Sequence, residues 1–401
     1  MKISFIMMQY PLPTQTFAIS DITSLVDLGH DVTVECLLPS TKKQTNLIKT
    51  YGVDANEITN ARIGRYLLGV ALLPRQLVRH RSFFGKLFAG LVRRPKRLAV
   101  LLVLLPRISE LVDRLSRNPP DVVHAFWGHW PSIIPALLTE EVDKAPTTSM
   151  HMGAYDLDAG FPLHLTADIV QHRFTHSASN LPRIAEMGVR GSVEMIHRGI
   201  PLQDLNTDGG RELIEKDPFL FCTASALTKD KRVDLVLRLF SEVRSTFPEA
   251  HLVVVGDGDQ RQVLAKLALE LQLENAVTFT GYLKRQDLFK VMCRSSFFLM
   301  FSNKKSERLP NVVKEAMYAR CVCFVSRTLG IEELIKDESY GFIFDDVKTS
   351  SLCAALESVL RDSSRHREIV ANAADLVERE FSSHSAMRRY EYIWGAGAAG
   401  S

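Results

Sequence analysis

An alternation of short apolar runs with longer amphipathic segments constrains the fold of this chain more than any other feature of its sequence. Each run has the length of a buried strand and is rich in aliphatic or aromatic residues, while each intervening segment has the length of a helix. Strands that alternate with helices predict a parallel sheet covered on both faces. The six runs in the second half are 219–223, 252–255, 277–280, 297–301, 322–326 and 341–344.

The first half repeats this pattern less regularly, and the chain is long enough for two domains. Its 401 residues are about twice the length of an ordinary domain. A polar, glycine-containing stretch at 204–210 is typical of a linker. We therefore predict an α/β protein with two Rossmann-like, doubly wound domains, 1–205 and 206–380, facing a central cleft that binds ligand. The strands predicted in the first half are 2–7, 31–36, 122–125, 147–151, 169–170 and 192–196.

A basic helical insert at about 62–117 interrupts the first half. Between Arg62 and Ser109 the chain has eleven Lys or Arg residues and no Asp or Glu, interleaved with Leu and Phe at helical spacing. An apolar helix face flanked by positive charge is typical of a helix that lies on an anionic membrane. Helices that pack on their own domain with a solvated basic rim remain an alternative. Nucleic acid is not an expected partner, because a basic stripe alone reads no bases.

The cysteines and the longest apolar run exclude other classes. The six cysteines form no CxxC pair and no regular ladder, so we expect buried thiols in a reducing compartment and no metal site among them. The run 98–105 has eight apolar residues, whereas a membrane-spanning helix needs about 18 or more. We therefore expect no transmembrane segment.

Two glutamates lie where a strand ends and a helix begins. Pro310 is suited to the first helical turn, which places Glu307 in the loop before the helix and Glu315 more than one turn inside it. Two carboxylates at one crevice can accept hydrogen bonds from hydroxyls in different parts of one ligand. The free backbone N–H groups at the start of the helix favour binding of a phosphate. A loop glutamate and a solvated helix glutamate are the alternative on spacing alone.

The residues around Glu307 and Glu315, together with other segments of the chain, resemble the motifs of a known protein family. Glu307 and Glu315, together with Leu309-Pro310-Asn311 and Glu315-Ala316-Met317, resemble the Glu-x7-Glu motif of family 4 retaining glycosyltransferases, which have the GT-B fold. The opening segment 10–17 is similar to the polysaccharide-assembly branch of that family. Further segments that match the family in order are 151–157, 196–200, 227–234, 253–258 and 277–282.

The resemblance implies a function and a division of the chain. It implies transfer of a sugar from a nucleotide-sugar donor to a glycan or lipid-linked saccharide acceptor, with retention, without a metal and without a cofactor. Residues 1–205 would bind the acceptor and 206–380 the nucleotide sugar. Residues 381–401 would form a helix that crosses back to the first domain, followed by a flexible tail. The insert would hold a cytoplasmic enzyme against the inner membrane face, where a lipid-linked acceptor lies.

Roles for individual residues are also implied only by the resemblance. Glu307 would hold hydroxyls of the donor sugar and Glu315 the ribose of its nucleotide. Lys231 would neutralise the donor diphosphate, and His151 would reach the transferred sugar. The further donor-binding positions are Gly330 and Ile331, through their backbone amides, and Arg308, Leu309 and Asn311.

The chain departs from the family pattern at the phosphate site. Ala226 stands where the family has an arginine, and Leu329 stands where it has a glycine. Arg232 and Arg308 also replace glycines, and Arg308 is a hypothetical substitute for the lost charge. These departures keep open an alternative function, a non-catalytic GT-B scaffold that binds a nucleotide or a glycan.

Weaker candidates for acceptor binding lie in the first domain. His129 and Trp130 belong to an aromatic cluster after a predicted strand, and aromatic faces stack well on sugars. The hydroxyls of Thr14 and Thr16 are candidates to line the same cleft. Core packing is the alternative for the aromatic residues.

Overall fold

The computed structural model describes residues 1–12, 16–41, 44, 48, 58–141, 145–205, 214–304, 307, 309–345 and 348–398. It contains two compact units. Unit 1 comprises Met1–Arg198 and the chain from Ala386 onward, and unit 2 comprises Gly199–Ser385. Each unit has its own parallel sheet with helices connecting the strands, which confirms the predicted class of two doubly wound α/β domains.

The sheet of unit 1 has the strand order β3-β2-β1-β4-β5-β6-β7, and all its pairings are parallel. The sequence prediction is wrong at 169–170. The amides of Ile169 and Val170 donate to the Thr166 carbonyl, so this apolar run ends a helical turn instead of forming a strand. The strands are β1 Lys2–Met7, β2 Asp31–Cys36, β3 Ile58–Thr59, β4 Val122–Ala125, β5 Thr147–His151, β6 His172–Thr175 and β7 Glu194–Met195.

The sheet of unit 2 has the order β10-β9-β8-β11-β12-β13, again with all pairings parallel. All six predicted runs in this half of the chain are strands. The carboxyl ends of the central strands β8, β11 and β12 therefore lie at one edge, where their loops meet. The strands are β8 Asp217–Ala224, β9 His251–Val255, β10 Val277–Gly281, β11 Ser295–Met300, β12 Val322–Ser326 and β13 Phe342–Phe344.

Fifteen helices are assigned in the described residues. In unit 1 they are α1 Thr16–Asp27, α2 Ile63–Arg79, α3 Arg81–Leu91, α4 Pro95–Arg117, α5 Ile133–Glu141, α6 Ala154–Asp158, α7 His164–Ala167 and α8 Leu181–Glu186. Unit 2 has α9 Val233–Thr246, α10 Arg261–Glu270, α11 Arg285–Arg294, α12 Asn311–Tyr318, α13 Thr349–Arg361 and α14 Ser363–Glu380. The last helix, α15 Ser383–Ala398, enters unit 1 at Ala386.

The basic insert consists of α2, α3 and α4. Helix α3 buries Phe83, Phe84, Leu87 and Leu91 in the core of unit 1, so these apolar residues pack on their own domain. Helices α2 and α4 cross closely at Gly69, where an added Cβ would lie 1.8 Å from the Pro106 carbonyl oxygen. Only glycine allows this approach.

Helix α15 packs its aromatic side chains into unit 1. Trp394 is fully buried, and its Nε1 donates to Ser149 Oγ at 3.0 Å. Tyr390 packs against Phe174 with ring centroids 4.4 Å apart. The helix continues through Gly395 to Ala398, beyond the point where the sequence predicts a flexible tail.

The cysteines lie mainly in the interior, as the sequence predicts. Five of the six cysteines are buried and Cys353 is half-buried, and none forms a disulfide. Among the described residues, no helix combines the length and the apolarity that crossing a membrane requires.

Candidate functional site

The predicted phosphate-binding lysine and the first glutamate of the pair lie together at the carboxyl edge of the unit 2 sheet. Lys231 ends a 3-10 turn after β8, and its Nζ donates to Glu307 Oε2 in the loop after β11. Ser302 Oγ donates to the same carboxylate oxygen at 3.1 Å. The Asn303 amide donates to the Asp230 carbonyl at 3.0 Å, which joins the two loops. A cation and a carboxylate thus meet where a parallel sheet binds ligands.

Glu315 lies in the second turn of α12 and is paired with an arginine that the sequence analysis missed. Arg285, at the start of α11, places Nε and Nη2 each 2.8 Å from Glu315 Oε1. The Glu315 side chain is 11% exposed. Burial raises the pKa of Glu315 above its usual value, and the charges of Arg285 and Lys314 oppose that rise. The arginine therefore favours the ionised carboxylate in a site that otherwise disfavours charge.

A cleft of about 370 Å³ opens beside Glu315. Its walls include the end of β8 at Ala224, Ser225 and Ala226 and the turn after β9 at Gly256 and Asp257. The two walls touch, since a Cβ on Gly256 would lie 1.9 Å from the Ser225 carbonyl oxygen. Ala226, which replaces the arginine of the family pattern, lines the cleft with a methyl group.

The other predicted donor-binding positions that the structure describes lie in loops of the same unit or at the start of α12. Leu309 has a left-handed backbone (φ 46°) and is 4% exposed, and Asn311 begins α12 and accepts a bond from Lys314 Nζ at 3.2 Å. Gly330 also has a positive φ of 84°, as the turn before residues 331–333 requires. The Ile331 amide donates to the Thr328 carbonyl at 3.1 Å, so this amide is engaged within the turn. Arg308 lies outside the described residues.

Arg232 follows Lys231, at the position where the family pattern has a glycine, and its backbone has the geometry that glycine adopts most easily. Its φ is 50°, in the left-handed region, immediately before α9 begins. A non-glycine residue there costs about 1 kcal/mol relative to glycine. The chain accepts this backbone geometry while adding a cation, whose Nε lies 3.6 Å from Asp234 Oδ1.

In unit 1, His151 ends β5 and is 3% exposed. Its Nδ1 lies 3.1 Å from the Tyr390 hydroxyl and its Nε2 lies 3.2 Å from His176 Nδ1. Burial, followed by the nearby charges of Arg198 and His176, lowers the pKa of His151 well below its usual value. His151 is therefore a neutral imidazole enclosed by two partners, and His176 is more exposed than His151.

The weaker acceptor candidates have different surroundings. His129 is 7% exposed, and its backbone amide and Nδ1 both bond to Oδ1 of the buried Asp156, at 3.1 and 2.8 Å. Trp130 is 3% exposed and packs edge-on against Phe161, which leaves it no ring face for a sugar and favours the core-packing alternative. Thr16 begins α1, and Thr14 lies outside the described residues.

Sequence reasoning missed Arg285, His176 and Tyr390. Arg285 is one of several cations on surface helices, and no spacing rule links it to Glu315 thirty residues later. Tyr390 is 239 residues from His151. Within the described residues no three His, Cys, Asp or Glu side chains gather as a metal site would require.

Comparisons with known proteins agree with this geometry. Residues 207–376, less than half of the chain, match the family model "Glycosyl transferases group 1". The chain is 23% identical to the amylovoran biosynthesis glycosyltransferase AmsK of Erwinia amylovora over 98% of this chain and 99% of that one. It is 29% identical to N-acetyl-alpha-D-glucosaminyl L-malate synthase of Bacillus anthracis over 42% of this chain and 43% of that one.

A solved structure extends the likeness to the whole chain. Anabaena HepE in complex with UDP superposes with a TM-score of 0.67 at 15% identity, over 99% of this chain and 100% of that one. The fold is therefore GT-B, as the sequence resemblance implied. The chain spans about half the length of the first curated relatives it matches, 43% and 53% in two cases.

Proposed function

We propose that this protein is a glycosyltransferase that moves a sugar from a nucleotide-sugar donor to a glycan or lipid-linked saccharide acceptor. The observations that support the proposal are the contact of Lys231 with Glu307 at the carboxyl edge of the unit 2 sheet and the cleft lined by Glu315, both within the segment that matches the group 1 family model. Breaking a glycosyl phosphate builds positive charge on the sugar and negative charge on the leaving diphosphate. Lys231 supplies the cation for that diphosphate, and the two carboxylates hold hydroxyls.

The finer assignment is to family 4, with retention and without a metal. The Glu-x7-Glu spacing and Lys231 support it. In this mechanism the leaving phosphate accepts the proton of the attacking hydroxyl on the same face of the sugar, so no carboxylate nucleophile is needed. Lys231, Arg308 and the backbone amide of Gly330 would take the place of a metal ion at the diphosphate.

Two observations favour a second candidate, a non-catalytic nucleotide- or glycan-binding scaffold. Ala226 adds no charge to the cleft, and Lys231 is already paired with Glu307. Donor hydrolysis separates the candidates, because an active transferase transfers some sugar to water and a scaffold transfers none.

A screen against nucleotide sugars and nucleoside diphosphates tests both candidates. Thermal shift and ligand-observed NMR are run on the wild type, on Glu315→Ala and on Glu270→Ala, whose glutamate is exposed on α10. Binding of one nucleotide class that is lost only in Glu315→Ala, with slow donor hydrolysis, is the expected result. Binding without hydrolysis supports the scaffold, and no binding to the folded wild type contradicts both.

We also propose that the basic insert docks on an anionic membrane surface. Helix α2 leaves Ile63 and Leu67 82% and 62% exposed, and Val103 on α4 is 58% exposed. The Tyr66 hydroxyl donates to the Val103 carbonyl at 3.3 Å, so the apolar residues of the two helices lie side by side. The same helix, α2, also carries exposed arginines such as Arg75 and Arg79. Apolar side chains bordered by cations fit the interface of an anionic bilayer.

Vesicle flotation tests this docking. The double variant Ile63→Ser/Leu67→Ser is compared with Leu269→Ser, whose leucine in unit 2 is also 62% exposed. We expect the wild type and Leu269→Ser to float with phosphatidylserine vesicles at low salt, and the double variant to float several-fold less. Binding should weaken at about 1 M salt, where charges are screened beyond about 3 Å. Absence of wild-type flotation at low salt contradicts the proposal.

A further inference from the structure

Four cations lie close together at the junction of α3 and α4. Arg93, Arg94 and Lys96 are exposed, and Arg97 is partly exposed. The chain has no Asp or Glu between Arg62 and Ser109, so these helices bring no acid near the junction. Within the part of the chain that the structure describes, Arg93, Lys96 and Arg97 form no ion pair. We call these three residues the basic cluster.

The fourth cation, Arg94, attaches the junction to unit 1. Its Nη1 donates to the Gly160 carbonyl, and a Cβ on Gly90 of α3 would lie 3.5 Å from the Pro162 ring. Gly160 and Pro162 belong to the loop after α6, and α6 begins soon after His151 at the end of β5. The basic cluster therefore lies beside the connection that leaves the carboxyl edge of the unit 1 sheet at His151.

Exposed apolar side chains follow the basic cluster on α4. Lys96, Val100 and Val103 are spaced by four and three residues, so they lie on one face of the helix. Val100 and Val103 are 37% and 58% exposed. At 1.5 Å per residue, Val103 lies about 10 Å along the helix from Lys96. Helix α4 and the loop it contacts thus present apolar residues, unpaired cations and the His151 edge in that order.

We propose that the basic cluster binds the phosphoryl groups of a lipid diphosphate that carries the acceptor saccharide. Such a molecule has a hydrocarbon chain, a diphosphate and a sugar, in the same order as the apolar residues, the cations and His151. Guanidinium and ammonium groups bind phosphate oxygens through charge-assisted hydrogen bonds. This inference rests on the proposed function, and it narrows the acceptor to lipids linked through phosphate, because a neutral glycolipid offers the cations no anion.

Vesicles of matched charge test this assignment on the full chain. Phosphatidylcholine vesicles contain either geranylgeranyl diphosphate or enough phosphatidylserine to give the same surface charge. General attraction between the insert and an anionic surface acts equally on both, whereas a diphosphate site favours the first. In flotation we expect the wild type to bind the diphosphate vesicles about tenfold more tightly, and pyrophosphate in solution to reduce this preference.

Two double variants remove the same charge from the same insert. Arg93→Gln/Lys96→Gln removes part of the basic cluster, and Arg75→Gln/Arg81→Gln removes two exposed arginines outside it. We expect only the first variant to lose the preference for diphosphate vesicles, while both bind phosphatidylserine vesicles less tightly to a similar extent. Equal loss of the preference in the two variants overturns the proposal, and so does equal binding of the two vesicle types by the folded wild type.

Lys231 provides a further control, because it is the cation proposed to bind the donor diphosphate in unit 2. We expect Lys231→Ala to keep the preference for diphosphate vesicles. If Lys231→Ala loses the preference and Arg93→Gln/Lys96→Gln keeps it, the lipid diphosphate binds in unit 2 and the proposal is overturned.

The nucleotide screen on the same samples separates the failure of this inference from the failure of the proposed function. Nucleotide binding and donor hydrolysis without a preference for diphosphate vesicles remove the lipid diphosphate site alone. A preference that depends on the basic cluster, without nucleotide binding, removes the transferase alone.

Discussion

Lys231 and Glu307 form an ion pair in which the cation expected at the donor diphosphate is bound by the carboxylate expected at the donor sugar. Both side chains are largely buried, 15% and 14% exposed, so solvent screens the pair only in part. A diphosphate that reaches Lys231 has to compete with Glu307. The ion pair therefore neutralises both charges, and we expect a ligand with both a phosphate and hydroxyls to replace this contact.

Substituting Glu307 should separate nucleotide binding from sugar transfer. In Glu307→Gln the competing charge is gone, so we expect a nucleoside diphosphate from the screen to bind about three- to tenfold more tightly, about 1 kcal/mol. Sugar transfer should fall at least about 100-fold, since a contact at the reacting sugar is lost. Titration calorimetry and a transfer assay measure the two effects. Glu332→Gln, which changes an acid outside this pair, should alter neither, and weaker diphosphate binding in Glu307→Gln would contradict the competition.

Glu315 should make the stability of the protein depend on pH. Its folded-state pKa is raised by burial, so between its ordinary value of 4.5 and the raised value the folded protein binds more protons than the unfolded chain. The free energy of unfolding contributed by this group therefore falls as pH rises through that window. Glu315→Gln removes the effect, and its free energy of unfolding relative to the wild type should increase with pH until Glu315 is fully ionised. Urea unfolding at several pH values measures this difference.

The opposite pH trend in that comparison would show that Arg285 outweighs burial at Glu315. Arg285→Ala provides the control, because it removes the opposing cation and should enlarge the pH effect. Nucleotide affinity should fall in both Arg285→Ala and Glu315→Gln, since the arginine favours the ionised carboxylate that accepts ribose hydroxyls.

The sequence predicted the parts of the fold that depend on local patterns. Apolar runs such as 297–301 and 322–326 lie at the centre of a parallel sheet, where strands are buried on both faces and the pattern is unmistakable. Ile169 and Val170 have the same composition but end a helical turn, because two apolar residues are too few to distinguish a strand from a buried turn. Two pairs join residues that are far apart in the sequence, Arg285 with Glu315 and His151 with Tyr390. They depend on tertiary packing that no local spacing encodes.

The apolar residues of the basic insert fall into two groups, one packed in the core of unit 1 and one exposed. Its cations and apolar residues predicted an amphipathic surface, and the alternative was packing on the domain itself. Phe83 and Leu87 pack into the core, as in the alternative, whereas Ile63 and Leu67 remain exposed. Periodicity located the helices but did not distinguish the residues that unit 1 covers, since leucine occurs both among the buried and among the exposed residues of the insert.

Trp394 should contribute strongly to the stability of unit 1. Its side chain is fully buried and donates to Ser149 Oγ, so Trp394→Ala leaves a large cavity and removes one of the hydrogen bonds of the Ser149 hydroxyl, which keeps His124 as a partner. We expect a loss of about 3–5 kcal/mol in the free energy of unfolding. Tyr392→Ala, two residues away and 77% exposed, should change it by less than about 0.5 kcal/mol. Equal effects of the two substitutions in chemical denaturation would show that α15 does not support the core.

A buried charge network should anchor the insert through Arg107. This residue of α4 is 1% exposed, and it donates to the Cys36 carbonyl at 3.1 Å and the Thr59 carbonyl at 3.2 Å. It also pairs with Glu35 and Glu110, which are 2% and 3% exposed. Among the described residues, Arg107→Ala leaves Arg114 as the cation that is paired with these acids, and we expect a loss of about 3–5 kcal/mol. Arg107→Met should lose less, because its side chain fills most of the space.

Arg117 on the same helix provides the matched control for Arg107. It is 69% exposed and pairs with Asp113 at 3.0 Å, so Arg117→Ala should cost less than about 1 kcal/mol. Urea unfolding of the three variants measures the difference, and the Arg107→Ala loss should persist at about 1 M salt because the buried network is screened weakly. If Arg107→Ala and Arg117→Ala unfold at the same urea concentration, the network does not anchor α4, and packing at Gly69 and Phe83 holds the insert instead.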